Sequence, residues 1–253
     1  MEHAARRSQP NSSRWLVRAL WVLALAGLVY LAALTAWLAV TGLFFPYQLD
    51  YGEGYLLHFV REWSRGQPIY KQATGYPYIA ANYPPLDIVL ALALVPVLGL
   101  SYAAGRIWTL LAVAAVAGLV AAWVRREGGR WPVAAAAALL LAGSPTIYHW
   151  APLFRVDLPG LALTLGGLYA VAVAYPTGGA PARARLLWLA VVLFVAGLYA
   201  KQSFLFAPAA AAAYLLVVRR RAAVVLVAAM GLLGGGLFLL INHFTRGGFW
   251  FGL

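Results

Sequence analysis

The sequence predicts an all-α polytopic transmembrane bundle of about seven or eight apolar helices, with a long first external loop carrying amphipathic juxtamembrane helices. Hydrophobic residues make up 64% of the 253-residue chain and charged residues only 10%, against roughly 45–50% and 25% in a soluble domain. Nineteen Lys and Arg against seven Asp and Glu leave a net charge of +12, as when cationic loops hold a membrane protein in one orientation. This balance excludes an ordinary soluble enzyme, a disordered tail and a nucleic-acid binder. Without cysteine there is no disulfide, zinc–thiolate or thiol chemistry.

Residues 1–14 are polar and basic and read as a cytoplasmic N-terminus; residues 15–253 read as one transmembrane domain. The first apolar run, 15–44, is too long for a signal-peptide core and has no clean A-x-A-like site after it, so it reads as an uncleaved helix. Runs 107–124, 133–147, 158–175, 186–200 and 222–241 come near the roughly 20 residues that a span needs. Run 204–218 is short but free of charge, and run 88–100, with 13 residues, is marginal.

Cationic clusters set the expected sidedness. Arg6, Arg7, Arg14 and Arg18 flank the first helix; Arg125, Arg126 and Arg130 form a second cluster, Arg183 and Arg185 a third, Arg219, Arg220 and Arg221 a fourth. Placing all four in the cytoplasm leaves 45–87, 148–157, 201–203 and 242–253 outside. An odd number of crossings must then separate 45–87 from Arg125, yet two apolar runs lie there. Either 88–100 is a partial or re-entrant helix and 107–124 crosses, which is the preferred reading, or both cross and the Arg125 cluster lies outside.

The acids are Glu2, Asp50, Glu53, Glu62, Asp87, Glu127 and Asp157. Four fall in 50–87 and Asp157 in the next external loop, a concentration on one face of the bilayer. Leu56, Phe59, Val60 and Trp63 recur at i, i+3, i+4 and i+7 among polar residues, the pattern of an amphipathic helix suited to the membrane surface. Gly66-Gln67-Pro68 stops it, and Tyr70, Tyr76, Tyr78 and Tyr83 have the amphipathic rings of an interface. Asp50 followed by Glu53 fits a helix capping box as well as a catalytic pair. Asp157, beside Arg155 and before Leu158-Pro159, reads either as a salt-bridged helix cap or as a functional carboxylate at the edge of hydrocarbon. Lys201, one of two lysines, reads either as snorkelling or as a phosphate ligand.

Several pieces in order resemble the GT-C superfamily of integral membrane glycosyltransferases, nearest to its aminoarabinose-transferase-like, protein-mannosyltransferase-like and RgtA/B/C/D-like branch. They are one helix followed by Asp50-Tyr51-Gly52-Glu53-Gly54-Tyr55-Leu56, then Arg65-Gly66-Gln67-Pro68-Ile69-Tyr70, Tyr83-Pro84-Pro85-Leu86, Gly105-Arg106-Ile107, Arg155-Val156-Asp157 and Ala200-Lys201-Gln202-Ser203. The order and spacing over 15–205 carry the resemblance. One departure is Gly52-Glu53, where many relatives have Asp-Glu.

The resemblance implies transfer of a sugar from a polyprenyl-phosphate donor to an envelope glycan, lipid or protein. A loop carboxylate takes the acceptor proton and cations stabilise the leaving phosphate. It implies Asp50, with Glu53 and Asp157, as catalytic residues; Lys201, Arg155 and Arg106 as donor-phosphate ligands; and Tyr55, His58 and Tyr83 at the substrate. In some relatives a divalent cation (Mg or Mn) is bound, here through Asp50 and Asp157, with His58 and His149 as further candidates. The expected location is a bacterial inner membrane, with the active site on the external, periplasmic face and no nucleic-acid partner. The family continues with several more helices, so the chain reads as truncated at its C-terminus. A non-enzymatic transporter, flippase or accessory subunit is the alternative; Gly231, Gly234, Gly235 and Gly236 would permit the close helix packing of a subunit.

Overall fold

The computed structural model describes residues 11–72, 79–176 and 183–253; Arg6, Arg7, Tyr76 and Tyr78 lie outside these. The described secondary structure is helical, with no strand among these residues. Its α-helices are α1 (Asn11–Leu43), α2 (Tyr51–Ser64), α3 (Leu86–Leu98), α4 (Ala103–Arg126), α5 (Trp131–Ala142), α6 (Pro145–Trp150), α7 (Asp157–Ala174), α8 (Arg185–Ala200), α9 (Phe206–Val218), α10 (Arg220–Met230), α11 (Gly236–Phe244) and α12 (Gly248–Gly252).

Four helical segments are long and apolar enough to cross a membrane: Arg14–Leu43, Ala103–Arg126, Asp157–Ala174 and Arg220–Phe244. Leu86–Leu98, Trp131–Ala142, Arg185–Ala200 and Gln202–Val218 are apolar but shorter. Local breakers explain two of the shortfalls. Gly143 ends α5, and the Ser144 hydroxyl accepts the Ile147 N–H at 3.3 Å to restart the chain as α6 behind Pro145. Gly99, at φ +66°, ends α3, whose 13 residues reach about 20 Å, short of a bilayer core.

The helices run between two ends. At one, Glu53, Arg106 and Phe154 are joined by hydrogen bonds, and Lys201 after α8 meets Asp157 at the start of α7. At the other, Arg126 closing α4 donates to the Ala172 carbonyl near the end of α7, the Arg183 N–H donates to Ala174, and Arg219 and Arg221 border a cavity with Tyr175 and Trp188. Helices α4 and α7 are therefore parallel, α5 and α6 make the return between them, and α7 and α8 form an antiparallel hairpin. Both ends of α3 lie at the first end: Ile88 shares a core with Leu56, Phe59 and Val60 of α2, and Leu98 borders a cavity with Leu57 and Arg61.

The apolar stripe of α2 faces inward, not toward lipid. Leu56, Phe59 and Val60 are buried with Ile69, Phe154 and Phe249, and the stripe is covered by protein because the chain folds back over it. The Gly66 N–H donates to Trp63 and the Gln67 N–H to Glu62 with Gly66 at φ +73°, so the helix stops where the sequence places its end.

The close helix seam is α7 against α8. A Cβ on Gly197 would lie 2.5 Å from the Thr164 methyl, and one on Gly167 would lie 2.7 Å from the Phe194 ring. Gly231, Gly235 and Gly236, expected to permit close packing, have nothing within 4 Å of an added Cβ; instead Gly231–Gly235 form a π-helical turn between α10 and α11.

Candidate functional site

Asp50 caps α2 from an extended backbone, its Oδ2 accepting the Gly52 N–H at 3.0 Å. The same oxygen accepts Arg155 Nη1 at 2.8 Å. Capping and a site role are thus not exclusive. A Cβ on Gly52 would meet the tip of the Arg155 guanidinium, so a side chain here would require Arg155 to shift.

Glu53 completes no ordinary capping box. Its side chain is fully buried, and its Oε2 accepts the Leu49 N–H at 2.6 Å, not the N–H of Asp50. Oε1 accepts the Phe154 N–H at 2.7 Å, and Arg106 reaches both oxygens through Nε at 2.8 Å and Nη2 at 2.7 Å. Arg106 gives its remaining N–H groups to the carbonyls of Gly42, Phe45 and Tyr47. All five guanidinium N–H groups are then used. Neither residue has bonding capacity left for a substrate, so the expected supporting role of Glu53 and phosphate role of Arg106 give way to a structural one. The pair ties the ends of α1, α2 and α4 to the loop before α7. Gly105 beside it is required, since a Cβ there would enter the Phe154 ring.

The other charged candidates come together. Arg155 bonds Asp50 and approaches Asp157 with Nε 3.6 Å from Oδ2, while Lys201 Nζ donates to Asp157 Oδ1 at 2.6 Å. Arg155 also lies over the Trp150 ring, 4.9 Å from its centre. Burial works against the Arg155 cation, but Asp157, Tyr83 and Asp50 together raise its pKa further. Asp157 is the first residue of α7; Val156 precedes it, and no side chain caps this helix, so the cap reading of Asp157 does not hold.

The neighbouring candidates are less alike. The Tyr55 hydroxyl donates to the Ala80 carbonyl at 2.6 Å, and burial pushes its pKa up. Tyr83 is half-buried near Arg155, and its carbonyl accepts the Tyr70 hydroxyl at 2.7 Å. His58 and His149 pack edge-on against Phe59 and Trp150. The two carboxylates expected to hold a divalent cation are ion-paired here, Asp50 Oδ2 with Arg155 and Asp157 Oδ1 with Lys201. Among the described residues no three His, Asp or Glu converge.

Sequence reasoning missed Asp87. This first-turn acid of α3 is 3% exposed, and its Oδ2 has no hydrogen-bond partner among the described residues. Burial, then the charge of Asp157, raises its pKa from 3.8 to about 7.

Beside this charged cluster runs an apolar groove of about 760 Å³. Pro84 and Gln202, next in sequence to Tyr83 and Lys201, line it, with Tyr199, Pro208, Met230 and Phe238 along its walls. The π turn forms part of the wall, and its Gly234 carbonyl accepts the Tyr199 hydroxyl at 2.9 Å. Comparison with known proteins finds no family model, no curated protein and no solved structure that matches the chain.

Proposed function

We propose that the protein is a membrane glycosyltransferase that moves a sugar from a polyprenyl-phosphate donor to a hydroxyl of an envelope glycan, lipid or protein. The reading is supported by the cluster of Lys201 and Arg155 with Asp50 and Asp157, and by a 760 Å³ apolar groove whose lining includes Gln202, the residue after Lys201. A lipid phosphate needs both: cations for its headgroup and an apolar channel for its tail.

In this reading Asp50, oriented by the Gly52 N–H and Arg155, takes the proton of the acceptor hydroxyl as its oxygen attacks the anomeric carbon. The bond from that carbon to the phosphate oxygen breaks, and the electron pair leaves with the phosphate. Lys201 and Arg155 stabilise the added charge.

The traverses between the two ends become seven membrane crossings: α1, α4, α5 with α6, α7, α8, the segment Gln202–Val218, and Arg220–Phe244. The arginine end faces the cytoplasm, and α3 is the partial helix on the external side.

Purified protein in proteoliposomes, given synthetic polyprenyl-phosphate sugars and candidate acceptor glycans or lipids, tests the reading. Release of free polyprenyl phosphate with the sugar appearing on acceptor supports it. Facilitated movement of an intact lipid-linked sugar between leaflets, without release, favours the flippase reading.

A further inference from the structure

At the end of the bundle away from Lys201, a single non-helical residue, Arg219 (φ −155°, ψ 80°), links α9 to α10. Its N–H donates to the Leu215 carbonyl at 2.7 Å to close α9, and its carbonyl accepts the Ala222 N–H at 2.8 Å to start α10. Arg219 and Arg221 border a cavity of about 270 Å³ whose walls include Tyr175 after α7, Leu187 and Trp188 of α8, and Val225 of α10. Tyr175 and Leu187 are buried, whereas Trp188 is 57% and Val225 40% exposed. Val192, one turn on from Trp188, is exposed as well, so the apolar wall continues along α8.

The described residues leave these arginines without a counter-charge. No Asp or Glu follows Asp157 in the sequence, and the acid at this end, Glu127, is paired with Arg126 at 3.0 Å. Neither Arg219 nor Arg221 makes an ion pair among the described residues. We propose that this cavity binds the phosphodiester headgroup of an anionic phospholipid, with Arg219 and Arg221 on the phosphate and the acyl chains lying over Trp188 and Val225. Guanidinium forks match phosphate oxygens, and a basic pocket between membrane helices is a recurrent seat for anionic headgroups. A Trp such as Trp188 is favoured at the same depth.

A free phosphate would meet the same arginines but leave the apolar walls in water, whereas a phospholipid satisfies both. The site rests on the chain lying in a bilayer and not on sugar transfer. Leu187 of α8 and Ala222 and Leu226 of α10 share one core, so a lipid seated against both helices at this end binds the folded chain and not the unfolded one. Its binding therefore stabilises the fold by mass action.

Native mass spectrometry and thermal melts of the full chain in detergent micelles test the site, with phosphatidylglycerol, phosphatidylcholine or glycerol 3-phosphate as the probe. A saturable phosphatidylglycerol adduct that raises the melting temperature is expected, with phosphatidylcholine binding more weakly. Arg219→Gln/Arg221→Gln should lower the apparent affinity for phosphatidylglycerol by about tenfold or more. Arg183→Gln/Arg220→Gln removes the same charge from arginines of the same end that do not line the cavity, and should change it by less than about threefold, within the loss of surface potential alone. All four side chains are exposed, so both variants should fold. Equal binding of the two lipids, or an equal loss in the two variants, would overturn the proposal in favour of a diffuse cationic surface. Stabilisation by glycerol 3-phosphate matching that by phosphatidylglycerol would overturn it in favour of a soluble phosphate.

Discussion

Arg106 and Glu53, separated by 53 residues of chain, close on each other through two hydrogen bonds of 2.8 and 2.7 Å. Their side chains are 1% and 0% exposed. Removing one partner leaves a buried charge unpaired, which costs about 3–5 kcal/mol. Glu53→Gln and Arg106→Leu should each destabilise the protein by that order, measured as unfolding in mixed micelles. A loss below about 1 kcal/mol, the range of an exposed pair, would mean the pair is not the latch.

Asp50 both caps α2 and bonds Arg155. Asn caps about as well as Asp, so Asp50→Asn should keep the fold, read by a near-unchanged melting temperature, while transfer falls by at least about a hundredfold, the usual scale for losing a general base. Equal loss of stability and activity would reduce Asp50 to a cap.

Gly197 and Gly235 should respond oppositely to alanine. At Gly197 the added methyl meets Thr164 at 2.5 Å, whereas at Gly235 it meets nothing within 4 Å. Gly197→Ala should cost about 1–3 kcal/mol through overpacking. Gly235→Ala should be neutral or gain up to about 1 kcal/mol in helix propensity. Parallel thermal melts decide it, and a reversed order contradicts the seam.

Asp87 makes stability depend on pH. Its pKa is raised to about 7 in the fold, against an ordinary 3.8. The unfolded chain therefore loses its proton first, and the stability due to the neutral buried carboxyl, full below about pH 4, is lost as pH rises to about 7. Asp87→Asn, which does not ionise, should gain melting temperature relative to wild type over that window and hold a constant lead above it. A difference that does not vary with pH contradicts this assignment.

Much of this architecture was legible in the sequence. The long apolar runs, the shortness of α3 and the stop at Gly66 came from run length and glycine chemistry. The break at Gly143 was harder to read, because it interrupts the run 133–147 that composition alone presents as continuous. Asp50, Arg155, Asp157 and Lys201 could be picked out because charge is rare in this chain, and the structure brings them together. Glu53 and Arg106 carry the same rarity, but whether a charge faces a cleft or a partner 53 residues away is set by tertiary packing. Asp87 gave only a weak signal: a first-turn acid is ordinary, since the helix dipole favours it.

The central claim is sugar transfer from a lipid phosphate, and mass spectrometry of polyprenyl-phosphate sugars and envelope glycans tests it most directly. Three host strains are compared: wild type, a deletion, and the deletion carrying Asp50→Asn. The account predicts that a lipid-linked sugar accumulates, and one glycan, lipid or protein modification disappears, in both the deletion and the Asp50→Asn strain. Unchanged lipid-linked sugars and envelope modifications in the deletion would contradict it.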